Sequence, residues 1–251
     1  MKAIKKQGEP AALKDWKRGM QQGAPQNMDY GNLPTPVKDA VKAALLVEQG
    51  YLCAYTLQRL AAASDCHIEH VEPQNAAPGK GLDYANMAAC WPDNGGNVTS
   101  GYGAPVKAGA AVTLNVDFVS PHAPGCEARF VYDASGAVRP RGEDAAVQGT
   151  IDRVQLGHAR LCELRRSAAQ TWGLVLSPRG MRSRRHLKSA AEARRFAAEV
   201  LQPDAQGRLE PFCVALSQIA LKYAEQEEKR SQRLRSGHGG KAGGTYSRPP
   251  P

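Results

Sequence analysis

Side chains that can bind a metal ion or move a proton are concentrated in one short run. It reads Cys66-His67-Ile68-Glu69-His70-Val71-Glu72-Pro73. Hydrolysis of a phosphodiester needs an activated water and a cation at the non-bridging oxygen. A neutral imidazole is the natural general base near neutral pH, and a carboxylate is the hard ligand that a magnesium-class ion prefers. The run therefore predicts a site in which His70 is the base and Glu69 binds a divalent cation.

Strand geometry limits how these side chains can meet. Neighbouring residues of a strand point to opposite faces, so His67 and Glu69 share a face and His70 does not. Both Glu69 and His70 reach one site only if the chain bends, and Pro73 with the Gly/Pro-rich loop behind it makes such a bend plausible. The sequence leaves open whether His67 is a second metal ligand or a substrate contact.

Further elements flank the run at wide intervals. Cys53-Ala54-Tyr55 lies upstream, and Leu82-Asp83-Tyr84-Ala85-Asn86-Met87 lies downstream. Together with Glu69-His70-Val71-Glu72-Pro73 they resemble the HNH (ββα-metal) endonucleases, most closely those of retron and Septu-type antiphage systems. Four further runs fit the same group, so the resemblance extends from the N-terminus to about residue 166. They are Lys2-Ala3-Ile4-Lys5-Lys6, Asp117-Phe118-Val119-Ser120-Pro121, Arg129-Phe130-Val131-Tyr132 and Thr150-Ile151-Asp152-Arg153-Val154-Gln155-Leu156.

The resemblance implies an α+β fold, with a small ββα-metal HNH core embedded among helices and a short β-hairpin insertion. It implies three catalytic residues, His70, Glu69 and Asn86, of which Asn86 opens a short helix, holds the loop and orients His70 through hydrogen bonding. One Mg²⁺ or Mn²⁺ ion would be bound by Glu69 and His67. Asn94 is the preferred candidate for the last ligand, with Asp93 and Asn97 as alternatives.

The implied function is hydrolysis of DNA phosphodiester bonds, as the nuclease effector of a bacterial antiphage defence system that acts with an ATPase subunit. The sequence favours DNA over RNA without excluding RNA. A non-catalytic nucleic-acid-binding or assembly module on a decayed HNH scaffold is the alternative, because the last metal ligand of the family is not evident here.

Six cysteines are scattered along the chain, and none forms a C-x-x-C pair. Such a low density argues against a disulfide scaffold. Many HNH proteins brace their fold with two cysteine pairs around zinc, whereas Cys53 and Cys90 each stand without a second cysteine at the expected spacing. Cys53 and Cys90 are therefore the candidate ligands if a structural zinc site exists, but their spacing disfavours such a site.

Composition sets the class of protein and of partner. The chain has 251 residues, 42% of them apolar, and a formal net charge of +9. No stretch reaches the roughly 18 consecutive apolar residues of a membrane span, and no apolar h-region follows the basic N-terminus. We expect a cytoplasmic protein without membrane contact. The basic balance favours a nucleic-acid partner.

Most of the excess charge lies in the C-terminal half, where residues 160–235 contain 16 Lys and Arg against 8 Asp and Glu. Arg182, Arg184, Arg185 and Lys188 form a run without compensating acids. We predict that this run contacts the phosphate backbone of a nucleic acid.

Local patterns divide the chain into five parts: an N-terminal arm (1–33), the HNH core (34–110), a β-hairpin region (111–142), a basic helical region (143–230) and a disordered basic tail (231–251). Thr35-Pro36 predicts a helix start and Gly50 its stop. Strands are predicted at 112–119, 128–132 and near Val138, the last two joined by a turn at 133–136. Helices are predicted from about residue 144, at 187–201 and at 209–230.

Overall fold

The structure, a computed structural model, describes residues 1–93, 100–107, 109–175, 187 and 189–238, with side chains as far as Leu234. Helices and two antiparallel hairpins make up the described residues, so the predicted α+β class is confirmed at that level. The helices are α1 (Ala11–Gly23), α2 (Thr35–Glu48), α3 (Ala104–Lys107), α4 (Ala145–Arg153), α5 (Ala159–Thr171), α6 (Ala190–Glu199) and α7 (Cys213–His238). The strands are β1 (His67–His70), β2 (Met87–Cys90), β3 (Phe130–Tyr132) and β4 (Val138–Pro140).

Helix α2 begins and ends close to the predicted residues. The helix starts at Thr35 itself, and the residue before it, Pro34, makes no side-chain capping hydrogen bond, so Thr35 is not the cap. It ends at Glu48, and Gly50 follows in the left-handed region with φ +58°. The helix packs against α1, β1 and β2, and buries Val41, Leu45 and Leu46.

Strands β1 and β2 form an antiparallel hairpin that packs against α2. Its register pairs His67 with Cys90 and His70 with Met87, and every residue of β2 is buried. The expectation that Asn86 opens a helix is wrong, because Asn86 closes a one-turn 3₁₀ segment and the next four residues are strand. Continuous burial of Met-Ala-Ala-Cys against β1 on one edge and α2 beside it explains the extended conformation.

A second hairpin follows, with Phe130 opposite Pro140 and Tyr132 opposite Val138. The predicted turn at 133–136 joins its strands. A strand at 112–119 does not form. The Asp117 carboxylate accepts a 2.7 Å hydrogen bond from the Thr113 backbone N–H, and Asn115 has φ +63°, so this segment closes on itself as a turn.

Four helices complete the C-terminal part. Asp144 caps α4 by accepting a hydrogen bond from Val147 N. Helices α6 and α7 pack together, and Arg194 and Glu228 join them through a 2.8 Å ion pair. Disorder was predicted from Ser231, but α7 continues to His238, and residues 239–251 lie outside the described part. None of the described helices is both long and apolar enough to cross a membrane.

Gly136 lies where the second hairpin packs against α5. Its φ is +85°, and an added Cβ would overlap the backbone carbonyl of Cys162 in α5. Gly136→Ala is therefore expected to lower the free energy of unfolding by about 3 kcal/mol, from left-handed strain and overpacking together. Gly125→Ala is the control, since φ is +69° there but nothing lies within 4 Å of the added Cβ. Urea unfolding should show the larger loss at Gly136, and equal losses would contradict this packing.

Candidate active site

Strand β1 presents the imidazole of His67 and the carboxylate of Glu69 on one side. Their Nε2 and Oε2 atoms lie 3.7 Å apart. The Nδ1 atom of His67 is hydrogen-bonded to the carbonyl of Pro92. A carbonyl can only accept, so Nδ1 carries a proton and the pair of atoms facing each other is His67 Nε2 and Glu69 Oε2. Burial alone would lower the pKa of His67, but hydrogen bonds to Glu69 and Pro92 raise it above the ordinary value.

The other oxygen of Glu69 is bound by a lysine that the sequence analysis did not single out. Lys107, the last residue of α3, places its Nζ atom 2.6 Å from Glu69 Oε1 and 2.8 Å from the carbonyl of His70. The Lys107 side chain is 1% exposed. Burial alone would raise the pKa of Glu69, but His67 and Lys107 hold it below the ordinary value, and the carboxylate is ionised at neutral pH.

His70 is the last residue of β1 and faces different partners. Its Nε2 atom lies 2.8 Å from the carbonyl of Gly81 and therefore carries the proton, which leaves the Nδ1 lone pair to act as a base. The Gln74 amide nitrogen is 3.1 Å from each ring nitrogen, and equal distances place it over the ring rather than along one lone pair. Burial lowers the pKa of His70, so the imidazole is neutral at neutral pH.

Asn86 holds the loop that follows His70. Its Oδ1 accepts a 2.8 Å hydrogen bond from Glu72 N, and its Nδ2 donates to the Glu72 carbonyl at 2.9 Å. The Asn86 side chain is buried. Both backbone groups of Glu72 are thus fixed, two residues after His70. This geometry agrees with the predicted loop-holding role, although Asn86 acts through Glu72 and not through a direct bond to the imidazole.

Glu69 and His67 form a donor pair for a divalent cation. Glu69 Oε2 and His67 Nε2 face each other closely enough to share one ion. Among the described residues, no group of three or more His, Cys, Asp or Glu side chains is placed to bind a metal. Mg²⁺ is commonly bound by one or two protein ligands and completes its shell with waters and substrate phosphate oxygens. The pair fits that use, with Lys107 restricting Glu69 to one free oxygen.

Six predicted residues lie outside the described part of the chain. They are the metal-ligand candidates Asn94 and Asn97 and the basic residues Arg182, Arg184, Arg185 and Lys188. Asp93, an alternative ligand, is described, and its Oδ1 lies 3.5 Å from Lys42 Nζ.

The two zinc candidates, Cys53 and Cys90, are buried together as free thiols. Burial alone would raise the pKa of Cys53, but hydrogen bonds from Cys90, Thr56 and the Trp91 backbone lower it to about 6. Among the described residues, no third or fourth metal-binding side chain lies with them to complete a zinc site. Thr56 contacts Cys53 where a second cysteine would complete a pair.

Comparisons with known proteins bear on the family. No protein-family model matches the chain. A curated protein of Vibrio cholerae serotype O1 biovar El Tor, named "Retron Vc95 putative HNH endonuclease", is 30% identical over 134 residues. The similarity supports an HNH-type family. The match covers 50% of this chain and 61% of the relative, so the chain spans less than two thirds of the relative's length. At the level of the family, this similarity supports a nuclease function.

The buried ion pair of Lys107 and Glu69 makes a stability prediction. Lys107→Met would leave Glu69 without its buried cation, and we expect a loss of about 3 kcal/mol in the free energy of unfolding. The double variant Lys107→Met with Glu69→Gln removes both charges and should recover part of that loss. Urea denaturation of Lys107→Met, Glu69→Gln and the double variant measures this. A double variant that loses as much as the two single variants added together would contradict the pairing.

Proposed function

We propose that this chain is a metal-dependent HNH endonuclease that hydrolyses phosphodiester bonds of DNA. The observation that carries the proposal is the arrangement of His70, whose Nε2 proton is bound by Gly81 while Nδ1 remains a base. One residue earlier in the same strand, Glu69 stands beside His67 with one carboxylate oxygen unclaimed by Lys107. A neutral imidazole base and an anionic cation-binding pair are two of the groups that metal-dependent phosphodiester hydrolysis uses.

In the proposed mechanism, His70 Nδ1 accepts a proton from the water that attacks the phosphorus. The bond from phosphorus to the leaving sugar oxygen breaks, and that oxygen takes up a proton from solvent water. The hydrogen bond to Gly81 fixes the tautomer, and the Asn86 clamp on Glu72 fixes the chain that carries His70. Glu69 Oε2 and His67 Nε2 would hold one Mg²⁺ or Mn²⁺ ion. Such an ion supplies charge stabilisation at the non-bridging oxygen.

DNA is the proposed substrate because the chain is basic, with a net charge of +9. The relative's name contains the word retron. From this similarity, and from the resemblance to antiphage nucleases, we infer a nuclease effector of a cytoplasmic defence system that acts with an ATPase subunit. The Arg182, Arg184, Arg185 and Lys188 run is proposed to contact either the DNA or that partner.

One observation favours a second candidate, a non-catalytic nucleic-acid-binding or assembly module. The Lys107 ammonium already neutralises part of the Glu69 charge that a cation would use. Titration calorimetry with Mn²⁺ separates the two functions. Binding that is lost in Glu69→Gln supports the nuclease, and the absence of any Mn²⁺ binding supports the module.

The role of His70 is tested by cleavage of supercoiled plasmid in Mn²⁺ and in EDTA. His70→Ala is expected to reduce nicking by about 10²- to 10⁴-fold, the usual contribution of a general base. His158→Asn is the control, because it alters a histidine that caps α5 and keeps a side-chain acceptor for Arg160 N. Nicking by His70→Ala at the wild-type rate would exclude His70 as the base.

The pKa of His70 predicts the acid limb of the pH profile. Burial lowers that pKa below 6.5. A base acts in its neutral form, so kcat/KM should be constant above this pKa and fall as the pH drops through it. The limb is therefore expected below pH 6.5, since kcat/KM reports the pKa of the free enzyme. A limb at or above the ordinary histidine value would assign the base to another group.

A further inference from the structure

Two residues outside β1, Tyr30 and Lys38, lie in succession beside His70. Tyr30, in the connection between α1 and α2, lies with its ring centroid 4.7 Å from that of His70, and the ring planes are perpendicular. Lys38, the fourth residue of α2, holds its Nζ atom 5.2 Å from the Tyr30 ring centroid. Both residues are half-buried. The ammonium of Lys38 therefore stands one aromatic ring away from the proposed base.

Lys38 differs from the other lysines near the site in its charge balance. Lys42, Lys80 and Lys107 are each paired with a carboxylate, from Asp93, Glu72 and Glu69 respectively. Within the described residues, Lys38 has no carboxylate at ion-pair distance, and the Tyr30 ring is its charge-stabilising contact. A bound anion would neutralise the charge of such a half-buried cation, which has no counter-ion.

The position of Lys38 is also unfavourable for the helix that carries it. The N-terminal end of a helix carries partial positive charge, so cations there are destabilising and anions are stabilising. Lys38 is the fourth residue of α2, and the first turn of that helix contains no acidic residue. Helix stability therefore does not account for a lysine at this position. A bound phosphate would offset the charge of the Lys38 ammonium and the partial positive charge of the helix end.

We propose that Lys38 binds a backbone phosphate of the substrate next to the scissile bond, and that Tyr30 positions the Lys38 ammonium and the His70 ring relative to each other. This inference rests on the proposed nuclease function. Tyr30 acts with a neutral hydroxyl, because burial and the charge of Glu69 raise its pKa to about 12. The ring is the part that both neighbours contact.

The test is the salt dependence of duplex DNA binding, measured in EDTA with His70 intact so that the Tyr30 contact is preserved. Loss of one lysine–phosphate contact changes the slope of log K against log[salt] by about 0.9. Lys38→Gln is expected to reduce the slope by that amount and to weaken binding, whereas Lys38→Arg should keep both. Tyr30→Leu should shift the slope in the same direction, and adding it to Lys38→Gln should cause little further loss.

Lys80→Gln is the matched control, since it removes the same charge from an exposed lysine that is already paired with Glu72. An unchanged slope in Lys38→Gln, or equal changes in Lys38→Gln and Lys80→Gln, would overturn the assignment of Lys38 while leaving the nuclease proposal intact. A parent protein that does not bind DNA at any salt concentration would overturn the proposed function and this inference together.

Discussion

The ion pair between Lys107 and Glu69 joins strand β1 to a helix that lies 38 positions further along the chain. Lys107 belongs to a four-residue helix, and its ammonium bonds both the carboxylate of Glu69 and the carbonyl of His70. An ionised carboxylate can be buried beside the hairpin because this cation compensates it. The same contact leaves one Glu69 oxygen facing His67, so the chemistry of β1 depends on a residue 38 positions away.

Around this pair, the site is built from short segments held by side-chain hydrogen bonds to backbone groups. His67 is held by Pro92, His70 by Gly81, and the chain after His70 by Asn86. Backbone partners of this kind fix the tautomer of each histidine as well as its direction. Burial lowers the pKa of both imidazoles, but His67 also hydrogen-bonds Glu69, so its pKa is raised overall while that of His70 is lowered.

Sequence reasoning located the parts of the site that are local. Alternation along a strand placed His67 and Glu69 together, and turn residues placed the hairpin at 133–136. Lys107 and Tyr30 were not found, because a contact between distant segments leaves no periodic signal in one sequence. The resemblance implied a helix after Asn86, but residues 87–90 form a strand, because burial against β1 and α2 overrides the helical preference of Met-Ala-Ala.

Gln49 has a consequence for the behaviour of the folded chain in a crowded solution. Its Oε1 accepts from Ala89 N at 2.7 Å, and its Nε2 donates to the Ala89 carbonyl at 2.9 Å. Ala54 N donates to the same carbonyl. A two-stranded sheet has exposed edges on which another chain can add a strand and begin aggregation. One glutamine amide occupies both backbone groups of Ala89 on the outer edge of β2, so these groups are not open to pairing with a strand of another chain.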